Sequence, residues 1–224
     1  YGYYEKDAVL CWEAVAEPNM IVIDAGANTG YYSVVAAARN ANVFAFEPDS
    51  NNRKELEANI SLNPGLNITV SSSALSHKNA EAIFYIAGKD NSGMSGLQQP
   101  ENFSGTKEMV RLIRFDDWRR EQGIGSPGLI KIDTEGAEMD ILEGMRATLL
   151  ECHPLLFIEV MPEHLQKTGH TVTSLFSYLS ALQYEAFLPV APLLLKRLQV
   201  PAAADVVIFA PAGHRWHADF RIQS

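Results

Sequence analysis

Basic residues are scarce in this 224-residue chain: 18 Lys and Arg stand against 27 Asp and Glu, a formal net charge of −9. No dense Lys/Arg stripe occurs, which argues against a protein that tracks a nucleic-acid phosphate backbone. The closest approach, Arg111, Arg114, Arg119 and Arg120, is interrupted by Asp116 and Asp117 and reads as a solvated helix edge. Cysteine is sparse too. Cys11 and Cys152 form neither a disulfide framework nor a metal-ligand spacing, so buried reduced thiols and a cytoplasmic location are expected. No apolar run reaches the roughly 18 residues of a membrane-spanning helix, and no membrane partner is expected. A secretory signal is missing as well, and because the chain starts at Tyr1 rather than Met, its natural amino terminus is expected upstream.

With 47% apolar and 20% charged residues the composition is that of a globular protein. The length suits one domain, residues 1–224, which buries roughly three-quarters of its unfolded surface without disulfides or structural metal. Residues 5 to 16 have helical periodicity, with Val9, Trp12 and Ala16 on one side, and form a leading helix within residues 1–17. Strands and helices then alternate. Met20 to Asp24 is a strand, Gly30 to Arg39 a helix, Asn42 to Phe46 a strand. A helix capped by Asp49-Ser50 runs to Leu62 and is stopped by Asn63-Pro64-Gly65; Ile68 to Ser72 is the third strand. Leu129 to Asp133, a helix from Ala137 to Leu150, and Leu155 to Val160 continue the pattern. A helix over Thr171 to Leu182 follows, and Tyr184 to Leu188 with Val206 to Ala210 supply a final antiparallel pair. Such alternation predicts a mostly parallel α/β sheet with an antiparallel carboxyl-terminal edge. Residues 80–114 are an insertion between the third and fourth parallel strands, with strands over Ala82 to Ala87 and Met109 to Ile113. The Gly/Ser/Asn/Gln-rich loop 88–106 between them is expected to be a mobile lid over an acceptor site, with a plain solvent loop as the alternative. The apolar, Pro-rich stretch Leu188 to Leu195 is either an interface or a core strand.

The most informative segment is residues 21 to 48. Its first strand ends in Asp24, the loop Gly26-Ala27-Asn28-Thr29-Gly30 opens a helix, and the second strand ends in Glu47-Pro48. Acids therefore stand at the carboxyl ends of two adjacent strands, where open α/β sheets place ligands. Gly26 and Gly30 let backbone approach a ligand closely. The loop lacks the G-x-G-x-x-G spacing of a dinucleotide site and the Lys-Ser/Thr ending of a P-loop. Asp24 would repel a pyrophosphate but suits a ligand with a cationic amino acid end. Glu47, 23 positions after Asp24, lies near the roughly 20-residue offset of acids that bind ribose hydroxyls. Strand four ends Lys131-Ile132-Asp133-Thr134-Glu135-Gly136-Ala137-Glu138. Acids here have an ordinary explanation, since they complement a helix dipole. The (D/N)PPY-like turn of amide and amine methylation is absent from this place.

The segments Val22 to Ser33, Ala45-Phe46-Glu47-Pro48 and Lys131 to Glu138 resemble the FkbM family of methyltransferases, in the right order, over a region from about Tyr4 to Val160. The resemblance implies a class I, Rossmann-like fold, S-adenosylmethionine as methyl donor, and O-methylation of a sugar or natural-product hydroxyl. Donor-binding candidates are Asp24, Gly26, Ala27, Asn28, Thr29, Gly30, Glu47, Pro48, Ser73, Ala74 and Asp133. Candidates for catalysis are Asp133, Glu135, Glu138 and His164. Positioning supplies effective molarities of about 10⁵ or more, and a carboxylate or His taking the hydroxyl proton adds about 10²–10⁴-fold. A divalent metal could instead acidify the hydroxyl, with Asp133, Glu135 and Glu159 as oxygen ligands; metal dependence stays open. His153, just before Pro154, reads as structural. Tyr1, Tyr3 and Tyr4 either stack on the acceptor or pack on the core. The partner is a small-molecule acceptor, its identity and the oligomeric state open. Two alternatives stand beside this reading: a nicotinamide-dependent oxidoreductase and a non-catalytic module that keeps the donor pocket.

Overall fold

The computed structural model describes residues 5–87, 95–99, 103–191, 193–213 and 220–223. The chain begins with α1 (Lys6–Val15), then β1 (Ile21–Ala25), α2 (Tyr31–Ala38), β2 (Asn42–Phe46), α3 (Ser50–Ser61) and β3 (Ile68–Ser71). β4 (Ala74–Ser76), β5 (Ala80–Ile86), β6 (Thr106–Arg114) and α4 (Phe115–Glu121) come next. They lead to β7 (Pro127–Ile132), α5 (Glu138–Gly144), α6 (Arg146–Cys152), β8 (Leu155–Val160), α7 (Pro162–Lys167) and α8 (Val172–Ala181). β9 (Tyr184–Ala191), β10 (Leu194–Arg197), β11 (Ala204–Pro211) and β12 (Arg221–Gln223) complete the chain.

Nine strands form one sheet in the order β12-β10-β9-β11-β8-β7-β1-β2-β3. The run from β3 to β8 is parallel and β9 and β11 form an antiparallel pair, as the sequence pattern predicts; β11 lies not at the edge but between β8 and β9. The order reverses between β1 and β7, which creates a crevice at their carboxyl ends. Central strands are covered on both faces, so they are apolar throughout rather than alternating: Val22, Ile23, Leu129, Ile130, Leu155 and Leu156 are fully buried. One face is closed by α1 and α2. Trp12 meets Tyr32 and Phe157 edge-on at 5.4 and 5.2 Å and donates its indole N–H to the Tyr32 carbonyl at 3.0 Å. Burying one such side chain contributes roughly 1.5–3 kcal/mol. On the other face, Leu142 of α5, Leu149 of α6, and Leu175 and Leu179 of α8 pack on Ile132, Ile158 and Phe209.

The structure departs from the sequence reading in several places. Strand three ends at Ser71, and Ala74–Ser76 joins a second sheet, ordered β4-β6-β5, built from the insertion. The helix expected from Ala137 to Leu150 is two helices broken at Met145. At the break β4 runs against the helix: a Cβ on Gly144 would lie 2.0 Å from the Ser76 carbonyl. The second helix is then capped by Asp116, whose carboxylate accepts from the Ala147 and Thr148 amides and the Thr148 hydroxyl. Asp116 is therefore buried, and only its neighbours form a solvated edge. The stretch from Leu188 to Leu195 enters the antiparallel β9–β10 pair, with Leu195 buried. Residue 192 and, of the expected lid, residues 88–94 and 100–102 lie outside the described residues, as do Tyr1, Tyr3 and Tyr4. Cys11 and Cys152 are free. No helix among the described residues is long and apolar enough to cross a membrane.

Candidate active site

A cavity of about 510 Å³ opens at the crevice between β1 and β7. That volume is in the range of small-molecule sites, about 300–1,000 Å³. The ends of β1 and β2 contribute Ala25, Gly26, Asn28, Phe46, Glu47 and Pro48. The neighbouring loop after β7 and the end of α7 contribute Asp133, Thr134, Glu135, Gly136, Lys167 and Thr168, and Ala74, Leu75, Phe84 and residues 95–99 also line it.

The glycine loop is shaped by close approach. Gly26 has φ +75, and a Cβ there would lie 1.8 Å from the Asp133 carbonyl. Gly30, at φ +88, starts α2 against the Leu56 side chain. Ala27 is buried, and the Thr29 carbonyl accepts from Asn59, so these two hold the loop without facing the cavity. Glu47 accepts from the Asn28 amide at 2.7 Å and the Asp49 amide at 2.8 Å. Burial pushes its carboxyl up to about 7, although those two amides pull the other way. Asp49 caps α3 as the sequence predicts, accepting from the Asn51 and Asn52 amides. Its second oxygen takes the Ser95 hydroxyl at 2.7 Å, so the described part of the expected lid is tied over the Glu47 side of the hollow.

Asp24 needs a correction. It does not line the cavity. It is fully buried and accepts from the Ser33 hydroxyl at 2.6 Å. Its other oxygen has no hydrogen bond and faces the Lys131 ammonium at 3.8 Å. Burial raises the Asp24 pKa, and Lys131 and Ser33 oppose the rise. The sequence reading places Lys131 in the strand-four motif but gives it no role. Its ammonium contacts the Asp133 carboxylate at 2.8 Å and donates to the Gly26 carbonyl at 3.3 Å, 5.1 Å from the centre of the Tyr32 ring. Burial would lower its pKa, but Asp133 and Asp24 overcome that and raise it. A lysine inside the apolar run Gly128-Leu129-Ile130-Lys131-Ile132 was the available signal, since buried lysines are almost always paired.

Glu138 also departs from expectation. It is 1% exposed, and one oxygen gathers the Thr134 and Gly136 amides and the Thr134 hydroxyl, each at 3.1 Å. Its role is to organise the loop after β7, and it does not face the cavity. Glu135 does line the cavity, in a left-handed conformation at φ 60. Behind it His164 does not line the cavity but bridges two carboxylates, with Nε2 at 2.8 Å from Glu135 and Nδ1 at 2.9 Å from Glu159. Burial pushes Glu135 to about 7 against the pull of His164, and burial with Asp133 and Glu138 pushes Glu159 to about 8. The structure thus brings Asp133 and Glu135 to the cavity with Gly26, Asn28, Glu47, Pro48 and Ala74, and leaves Ser73 outside it. His153 ends α6 in a left-handed turn, a structural place.

The sheet order, with its antiparallel strand between the fifth and sixth parallel positions, and the acid-tipped glycine crevice define a class I methyltransferase fold. The chain belongs to the FkbM methyltransferase family: the methyltransferase FkbM domain matches residues 24–186. That membership overturns the oxidoreductase alternative. The chain is 25% identical over 188 residues to the 2-O-methyltransferase NoeI of Sinorhizobium fredii, covering 77% of this chain and 76% of that protein. It is 26% identical over 152 residues to the hexuronic acid methyltransferase AglP of Haloferax volcanii, covering 65% of this chain and 58% of AglP. The solved FkbM methyltransferase from Methylobacillus flagellatus shares the fold at a TM-score of 0.56 and 19% identity, over 86% of this chain and 43% of that one.

Proposed function

We propose that this protein transfers the methyl group of S-adenosylmethionine to a hydroxyl of a small molecule, with a saccharide as the foremost acceptor class. The observation that carries the reading is that one hollow joins the glycine loop and Glu47 to Asp133 and Glu135. The donor's adenine would rest on Phe46, Pro48, Ala74 and Leu75. Glu47, with lone pairs left beyond its two amide contacts, would accept from the ribose hydroxyls. The methionine end would lie over Ala25, Gly26 and Asn28, its sulfonium drawn toward Asp133. Asp24 then acts beneath the loop, through Ser33 and Lys131, rather than by touching the donor.

The acceptor would enter past Lys167 and Thr168 and set its hydroxyl against Glu135. The hydroxyl oxygen attacks the methyl carbon in line with sulfur; the C–O bond forms, the C–S bond breaks, and S-adenosylhomocysteine leaves. The hydroxyl proton passes to Glu135. Two relatives named for a 2-O-methyl product and a hexuronic acid substrate support the saccharide class. The two free cysteines suit a reducing cytoplasm.

The test is methyl transfer from isotopically labelled donor across a panel of neutral sugars, hexuronic acids and their oligomers, read by mass spectrometry. Glu135→Gln should lower turnover at least tenfold while S-adenosylhomocysteine affinity, by calorimetry, stays within about twofold, as expected for a group acting in proton transfer. Donor binding without transfer to any hydroxylated acceptor would leave a binding module in place of the enzyme.

A further inference from the structure

Behind the acceptor end of the cavity, three ionisable side chains converge from separate elements: Glu135 after β7, Glu159 in β8 and His164 in α7. Each offers one ligand atom, and all of these lie within 4.8 Å of one another. Ligand atoms bonded to a metal at 2.0–2.2 Å stand about 3–4.4 Å apart, so a small turn of these side chains closes the shell. Gly136 makes the convergence possible. A Cβ there would lie 2.6 Å from the His164 carbonyl, so only glycine lets α7 pack directly on the loop.

The hydrogen-bond arrangement points to a missing positive charge. His164 meets a carboxylate oxygen at each ring nitrogen, 2.8 and 2.9 Å away. A neutral imidazole has one N–H and one lone pair. With both glutamates ionised, one of the two contacts therefore sets a lone pair against an anion. A proton or a cation has to relieve it. The surroundings add negative charge: the buried Oε2 of Glu138 has no hydrogen-bond partner, and Glu138 and Asp133 both act on Glu159. Two cations act on the cluster from outside it: Lys131, which is ion-paired with Asp133 and Asp24, and the exposed Lys167, whose ammonium lies 3.5 Å from the Glu135 carbonyl.

We propose that Glu135, Glu159 and His164 form a binding site for a divalent first-row cation, with Mn²⁺ and Zn²⁺ as the best-suited species. Two carboxylates and a neutral imidazole balance a 2+ charge. One nitrogen with two oxygens suits borderline Zn²⁺, and the oxygen-favouring Mn²⁺ with water completing its shell, better than Ca²⁺, which takes six to eight oxygens. Of the three, Glu135 borders the cavity, so the site adjoins the acceptor end. A hydroxyl bound there is made more acidic by the cation. That consequence rests on the O-methylation reading; the binding site itself does not.

The experiment uses the full chain, freed of metal with a chelator, and titrates it with Mn²⁺ followed by electron paramagnetic resonance, and with Zn²⁺ by calorimetry. One equivalent should bind. Glu159→Gln and His164→Asn should each weaken binding at least tenfold, while S-adenosylhomocysteine affinity is retained and shows that both variants are folded. In protein labelled at histidine, Mn²⁺ should broaden the His164 ring signal before the other histidines. No binding of either ion, or equal affinity in wild type and both variants, overturns the site. Full methyl transfer in the chelated protein, together with absent metal binding, would remove this inference and leave the proposed activity standing.

Discussion

Replacing Lys131 by Met leaves a side chain of similar length and removes the one buried cation among the described residues. In the native protein its ammonium stands 2.8 Å from Asp133 and 3.8 Å from Asp24. At an effective dielectric of about 20, such pairs attract by about 6 and 4 kcal/mol before desolvation is counted. Desolvation cancels much of this in the intact cluster, but not in the variant, where Asp24 stays fully buried and loses its counter-charge. Removing one partner of a buried pair costs about 3–5 kcal/mol. For a chain of this size that lowers Tm by roughly 6–20 °C. The pH dependence carries the sharper test. Burial already holds the Asp24 pKa above its unfolded value, and losing Lys131 raises it further. A folded state that holds its proton longer than the unfolded chain loses stability as pH rises. In urea unfolding the gap between wild type and Lys131→Met should therefore widen as pH rises above the range in which an unfolded aspartate titrates. A loss below about 1 kcal/mol, or one that shrinks as pH rises, would refute the account of Lys131 as counter-ion to buried Asp24.

Gly26→Ala adds a Cβ that would sit 1.8 Å from the Asp133 carbonyl, at a φ of +75. It should weaken S-adenosylhomocysteine binding by more than tenfold, about 1.4 kcal/mol, in calorimetry. Glu47 titrates at about 7 in the unliganded protein, and its ionised form is the better acceptor for ribose hydroxyls. Donor affinity should rise as pH increases through 7, and Glu47→Gln should bind more weakly with a flat profile. The same carboxyl makes the unliganded protein lose stability as pH rises from about 4.5 to about 7, which thermal melts across that range will show. Thr171 caps α8 in a reciprocal arrangement with Ser174, far from the cavity in its contacts. Thr171→Ala should cost about 0.5–2 kcal/mol in denaturant unfolding and leave methyl transfer unchanged.

Local chemistry was legible where a residue acts within its own segment. Asp49 announces a helix start because a short acid just ahead of a helical pattern bonds the first free amides, and it does so here. Gly26 and Gly30 announce backbone in the left-handed region, and both are there. The alternation of strands and helices fixed the order of β1, β2, β3, β7 and β8 because parallel strands need a crossover between them. What stayed hidden depends on partners distant in the chain. At the break at Met145 the helix meets Ser76 and Asp116, neither of which marks residues 144–147 in sequence. Asp24 and Glu138 are acids at ligand-facing addresses, yet Ser33, Lys131 and the Thr134–Gly136 amides turn their carboxylates away from the cavity. His164 is a candidate for catalysis in the sequence, but only the meeting of β7, β8 and α7 sets it between two glutamates.

Strand β4 supplies Ala74 and Leu75 to the cavity while pairing with β6 of the small sheet, and Ser95 ties the same insertion to Asp49. Occupancy of the hollow and integrity of the small sheet are therefore two readings of a single equilibrium. A ligand that grips this wall protects the β5–β6 ladder from amide exchange. By reciprocity, any change that loosens the ladder weakens the ligand by the same free energy. Variation confined to the insertion, with no contact to the reacting atoms, thereby becomes a way to retune cofactor affinity.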